Sequence, residues 1–218
     1  MKQWFMEFYP YLGWAGSLTI LVCSLIAAAA YRGKEGERYF ITRYFVSELG
    51  EPGVSRLARV FNTGLIAGSF LLLLMIPGVG LSLNSVWGYI GSAFGMIAAT
   101  ACLFVGVFPM NRIKPHSIAA MTYFRAGLAT VLVFCIAIIV QPADARVIPL
   151  YSLVIGGLAF AAYASFLIHA GNLTRRSQAN ALDTTTVKVR PRFWWMPFLE
   201  WMVVIFTILW FLVVCAAR

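Results

Sequence analysis

The sequence predicts an all-α protein: a bundle of six transmembrane helices forming a single domain over residues 1–218. Three observations lead there. Apolar residues make up 61% of the 218 residues and charged residues only 11%, whereas soluble chains run nearer half and a quarter. The mean hydropathy is +0.82. Six apolar runs, roughly 11–31, 60–76, 86–108, 117–140, 147–169 and 197–217, come close to the ~20 residues a helix needs to cross the hydrocarbon core. In lipid a run of this kind satisfies its own backbone only as a helix. The same composition excludes disordered, collagen-like and disulfide-framework classes.

Each run has its own reason. The first could mimic a signal peptide, because Ala27 to Ala30 resemble a cleavage region. It is too long for a signal core, only Lys2 precedes it, and a basic cluster follows, so it reads as a retained span. Residues 32–59 then form a long charged loop. Within it, the segment from Arg38 to Leu49 is amphipathic, which suits a helix lying along the inner membrane surface or a segment folded under the bundle as a plug. The second run is the shortest and can borrow Leu57 and Ala58. Residues 77–85 (PGVGLSLNS) read as a short uncharged loop, since Pro and Gly punctuate local structure. Residues 109–116 (PMNRIKPH) are short and basic, and residues 141–146 make a tight turn. Residues 170–196 form a second long basic loop, whose polar stretch 177–186 is the least ordered by composition.

The net charge is +9. In a soluble domain that excess would suggest nucleic acid, but here it is topological and no nucleic-acid partner is expected. The first, third and fifth loops carry Arg32, Lys34, Arg38, Arg43, Arg56, Arg59, Arg112, Lys114, Arg175, Arg176, Lys188, Arg190 and Arg192, thirteen of the 17 basic residues. Lys2, Arg146 and Arg218 fall on the other side, and Arg125 within a span. The bias places both termini outside and the long loops in the cytoplasm, in a plasma or inner membrane. No internal repeat of convincing strength is present.

Small residues recur at spacing four: Gly13 and Ser17, Gly64 and Gly68, Gly91 and Gly95, Gly157 and Ala161. In lipid, close backbone approach holds helices together. The second and third helices both carry Gly-x-x-x-Gly and are expected to pack closely. These stripes serve either bundle packing or a dimerisation face. Trp194, Trp195 and Trp201, and Trp4, Phe5, Phe8, Tyr9 and Tyr11, fit interfacial belts. Cys23, Cys102, Cys135 and Cys215 all lie in apolar runs without a CxxC pair, so they read as buried thiols and not as a metal site.

The rare polar groups supply the candidates. Arg125 and Glu200 lie at comparable depth and could pair, since an intramembrane charge costs roughly 3 kcal/mol unless it snorkels or finds a partner. Arg125 reads either as a structural group or as an anion or headgroup site. His116 and His169 fall at one membrane boundary, where two imidazoles either cap helices or hold a metal or haem. Ser47 and Glu48 precede a turn marked by Gly50, Pro52 and Gly53, near Asn62. Together Ser47, Glu48, Asn62, Arg112, His116, Arg125, His169 and Glu200 map near one face as a candidate polar vestibule. No catalytic residue and no cofactor can be named from this set.

Tyr44-Phe-Val-Ser-Glu-Leu-Gly, Phe61-Asn-Thr-Gly-Leu-Ile-Ala-Gly, Gly106-Val-Phe-Pro and Pro115-His-Ser-Ile-Ala-Ala-Met resemble the DUF 998 family. This is a six-span membrane family of unknown function, distantly similar to the Frag/DRAM/Sfk type. The resemblance covers roughly residues 10–170. It implies the six-span fold and points to Ser47, Glu48, Gly50, Asn62, Gly68, Pro109 and His116. An Asp is expected near Gly-Val-Phe-Pro, where Met110-Asn111-Arg112 stands instead. The resemblance implies no reaction. Two functions fit the residues. One is a non-catalytic protein that binds membrane lipids or serves as an accessory subunit of a larger membrane complex. The other is an enzyme or transporter of amphiphiles, with Glu48 or His116 as base. A weaker third is a haem or metal protein.

Overall fold

A computed structural model describes residues 2–33, 35–179 and 191–216. It contains six long helices and, among the described residues, no strand: α1 Lys2–Ala30, α2 Ala58–Leu83, α3 Val86–Val107, α4 Ile113–Ile139, α5 Ser152–Ala179 and α6 Trp195–Ala216. Each is long and apolar enough to cross a membrane, so the chain is a multi-pass integral membrane protein. Every helix packs on its neighbour in sequence, and α1 also packs on α6. The six therefore stand in a closed ring, and both chain ends lie at one end of it. At that end a Cβ on Gly13 of α1 would run into Cys215 of α6.

The expected loop 77–85 is not one. Residues 77–83 complete α2, with Pro77 inside the helix. Pro and Gly are tolerated there because packing within the bundle re-satisfies the backbone. The glycines allow contact, not a turn: a Cβ on Gly78 would strike the Tyr9 ring, and one on Gly80 would strike Ser92 and the Gly88 carbonyl. The turn itself is Asn84, left-handed at φ 40°, followed by Ser85, whose Oγ accepts from Gly88 N at 3.0 Å. Asn is among the few non-glycine residues that adopt this conformation readily. Of the polar stretch expected to be least ordered, residues 180–186 lie outside the described residues, and α5 continues to Ala179.

Most of the small residues work inside the bundle, and α2 and α3 pack closely, as expected. Gly64 and Gly68 of α2 face α1, where Gly16 and Gly68 each come within 2.8 Å of the space a Cβ on the other would fill. Gly91 and Gly95 of α3 face Phe134, Thr130 and Ile76. The α2–α3 seam is made by Gly95 against Ile76, Gly80 against Gly88 and Gly106 against Ile66. Gly157 and Ala161 are exposed.

The long loop between α1 and α2 does not lie flat on a surface. Residues 39–50 turn inward and close one end of the ring, ending in a 3-10 turn, Val46–Gly50. Val46 and Leu49 are buried. The aromatic rings of Tyr31, Tyr39 and Tyr44 meet at 5.3 to 5.7 Å, and Trp201 packs edge-on to Tyr39. Trp201 is thus 3% exposed and belongs to the plug, not to an interfacial belt. Trp195 and Phe193 remain exposed, and the Trp4 side chain lies outside the described residues.

Candidate functional site

Four attachments hold the plug. The Tyr39 hydroxyl donates toward the Tyr44 and Phe45 carbonyls, both at 3.0 Å, and accepts from Trp201 Nε1 at 2.6 Å. Burial pushes the Tyr39 phenol well above its usual ionisation range, the Trp201 bond opposes this, and the Glu200 and Glu48 carboxylates push it further. Tyr39 therefore stays a neutral donor. Glu48 caps its own turn by accepting from Phe45 N at 2.9 Å. Asn62 Nδ2 donates to the Gly50 carbonyl at 2.9 Å, and a Cβ on Gly50 would collide with Asn62 and Phe61. Glu200 of α6 accepts from Val46 N at 2.6 Å and from the backbone and hydroxyl of Ser47.

Behind the plug runs a cavity of about 90 Å³ along the axis of the ring, lined by residues of all six helices. On α4 it spans His116 to Val131 and on α2 Phe61 to Ile76, roughly 22 Å in each case at 1.5 Å per residue. Its wall is mostly aliphatic and aromatic. Polar groups line it at several depths, Ser69 and Thr130 among them. At the plugged end stand Ser47, His116 and Glu200. Halfway along, Thr207 Oγ1 donates to the Tyr163 hydroxyl at 3.2 Å, which donates to the Tyr123 hydroxyl at 3.1 Å. A hydroxyl has one proton to give, so Tyr123 ends the chain as the remaining donor. A wider hollow, about 610 Å³, lies between α3 and α4 and is lined by Met96, Phe104 and Ile118 among others. It is open, carries no ionisable group, and has the hydroxyls of Thr100 and Thr122 as its polar side chains.

The eight expected residues separate into groups. Ser47, His116 and Glu200 all line the cavity. Glu48 and Asn62 secure the plug and do not line the cavity. Arg112 and Arg125 are exposed, and His169 is half-buried on α5, away from the lining. The expected Arg125–Glu200 pair is absent: Glu200 is held by plug amides, and no ion pair joins the two. Arg125 follows His116 by nine residues, about two and a half helical turns, which puts it on the opposite face of α4. His116 Nδ1 lies 2.8 Å from the Phe108 carbonyl. No cluster of three or more His, Cys, Asp or Glu able to hold a metal occurs among the described residues.

Sequence reasoning passed over Tyr39, Tyr123, Tyr163 and Thr207. A signal existed for one of them. His116, Ala120, Tyr123, Gly127 and Thr130 repeat at spacings of four and three, which marks one helix face. No protein-family model matches the chain, and neither a curated protein nor a solved structure matches it. Of the residues that the sequence motifs pointed to, Ser47, Glu48, Gly50 and Asn62 come together in and around the plug.

Proposed function

We propose that this is a non-catalytic integral membrane protein that binds a lipid-like amphiphile inside its helix ring. The head sits at the plugged end, and the axial space of about 90 Å³ takes only the first few carbons of the tail unless the rings of the wall move aside. The observation that carries this reading is the axial cavity, slender and mostly apolar in its wall, with polar groups at the plugged end and a hydroxyl chain halfway along. Ligand sites are concave and mostly apolar, with a few placed polar groups that fix orientation. In the same reading the plugged end faces the cytoplasm, where the basic loops gather.

The test is to purify the protein in native nanodiscs and read bound lipid by native mass spectrometry. One retained amphiphile per chain is expected. Ala99→Leu and Ala120→Leu, at two small positions in the cavity wall, should reduce retention about tenfold, a change of roughly 1.4 kcal/mol. Equal retention by these variants would sink the proposal. One contact favours an enzyme acting on amphiphiles as a second reading: the Ser47 hydroxyl on the Glu200 carboxylate, a nucleophile beside a base. That reading requires the wild type to release cleaved lipid and Ser47→Ala to retain it intact.

A further inference from the structure

The hollow between α3 and α4 follows from residue size along two helix faces. Its wall on α3 runs through Ala93, Ile97, Ala101, Phe104 and Phe108, spacings of four and three that mark one face. On α4 it runs through Pro115, Ala119 and Thr122. Ala101 and Ala119 are small and buried and form the floor, while Met96, Ile97, Phe104 and Ile118 stand exposed along the edges. From Ala93 to Phe108 this trough runs roughly 22 Å, longer than half of the ~30 Å hydrocarbon core that one leaflet fills. Its volume of about 610 Å³ falls within the ~300–1,000 Å³ usual for ligand sites. In a bilayer an acyl chain fits such a trough better than a helix does. A helix is ~10–12 Å across with its side chains, and close helix contact needs small residues where the edges here are large.

The trough ends at the turn between the two helices. Phe108 and Pro115 line it there. Arg112 N donates to the Pro109 carbonyl at 2.8 Å, and His116 Nδ1 lies 2.8 Å from the Phe108 carbonyl, so the turn is held against the trough. Arg112 and Lys114, at this turn and the first residues of α4, both have exposed side chains. No Asp or Glu occurs between Glu51 and Asp144, so α3, α4 and their connection supply no counter-charge. A guanidinium matches a phosphate with two parallel hydrogen bonds, and a lysine adds a point charge. A zwitterionic head would bring its own ammonium to two cations, with no carboxylate of either helix to receive it. A head of net negative charge carries no such repulsion. Arg125 lies thirteen residues past Arg112, roughly 20 Å deeper, and takes no part in holding a head at the turn.

We propose that the trough between α3 and α4 binds one chain of an anionic glycerophospholipid of the bilayer, whose phosphate lies against Arg112 and Lys114. The site is on the outside of the ring and does not depend on the axial cavity. The experiment titrates the full-length protein in a neutral detergent with equal amounts of dioleoylphosphatidylglycerol and dioleoylphosphatidylethanolamine, and reads the first bound lipid by native mass spectrometry. The wild type should take phosphatidylglycerol about tenfold over phosphatidylethanolamine. Arg112→Gln combined with Lys114→Gln should lower that ratio to about twofold or less. Thr122→Phe sets a ring into the trough and should weaken phosphatidylglycerol binding about tenfold. All three positions are exposed, so the variants should melt with the wild type. A wild type without preference overturns the proposal. So does a preference that survives the double substitution, which would belong to the basic loops at large. Phosphatidylglycerol binding untouched by Thr122→Phe takes the trough out of the account. A dimer that Thr122→Phe dissolves, with no lipid preference, gives the trough to a second copy of the chain and overturns the proposal as well.

Discussion

Val46 and Ser47 present their backbone N–H groups to Glu200, so an acidic side chain on α6 serves as the anchor for a loop between α1 and α2. Leaving a buried N–H without an acceptor costs about 1–3 kcal/mol. Glu200→Ala orphans both groups, whereas Glu200→Gln keeps one carbonyl oxygen in place. The expected order of melting temperature in detergent is wild type, then Gln, then Ala; an Ala variant melting with the wild type would remove the anchor from this account. Residue type alone pointed to Glu200, His116 and Ser47, because polar groups are conspicuous in apolar runs. It also pointed to Arg125, and there it misled. Which face of a helix a residue occupies decides whether it meets a neighbour or the lipid, and Arg125 is on the wrong face. Tyr123 and Tyr163 passed unnoticed for the opposite reason: tyrosine in a span blends with the aromatics that pack a bundle.

The elements depend on how their ends are satisfied. Between α4 and α5 the chain is tied by one side chain. Gln141 Oε1 accepts from Val147 N and Ile148 N at 2.9 and 3.1 Å, while Nε2 donates to the Ile138 and Ile148 carbonyls at 3.1 Å each. Gln141→Ala should therefore destabilise the protein by about 2–4 kcal/mol, from four bonds of roughly 1 kcal/mol each, read as a shift in chemical denaturation in detergent. A shift under 0.5 kcal/mol, about the scatter of surface substitutions, would contradict it. This tie, with Pro149 beyond it, carries the connection on to Tyr151 and delays α5 to Ser152. Hydropathy located all six spans, since length and apolarity are what a membrane demands. It misjudged their ends, because an end is decided by a cap or a neighbour. Pro77 and Gly78 read as a turn by rules suited to water, yet Tyr9 packs against that very stretch and keeps it helical.

For the molecule as a whole, the even number of spans brings the chain ends to one side, and the basic loops supply the proposed orientation. Reporter fusions to each terminus should both read outside, and a reporter placed in the loop near Arg56 should read inside. Cytoplasmic signal from both termini would invert the assignment and put the plug on the outer leaflet. The lone connection of α1 to α6 closes the circle, and no helix stands at its centre. Equal rods in a hexagon leave a bore wide enough for a seventh of the same girth. Here that bore is narrowed by Phe61, Tyr123, Phe124, Tyr163 and Phe211 reaching inward from the wall. Its calibre is therefore a property of a few rings and not of the backbone, so related chains could be re-bored for thicker or thinner guests while the scaffold stays as it is.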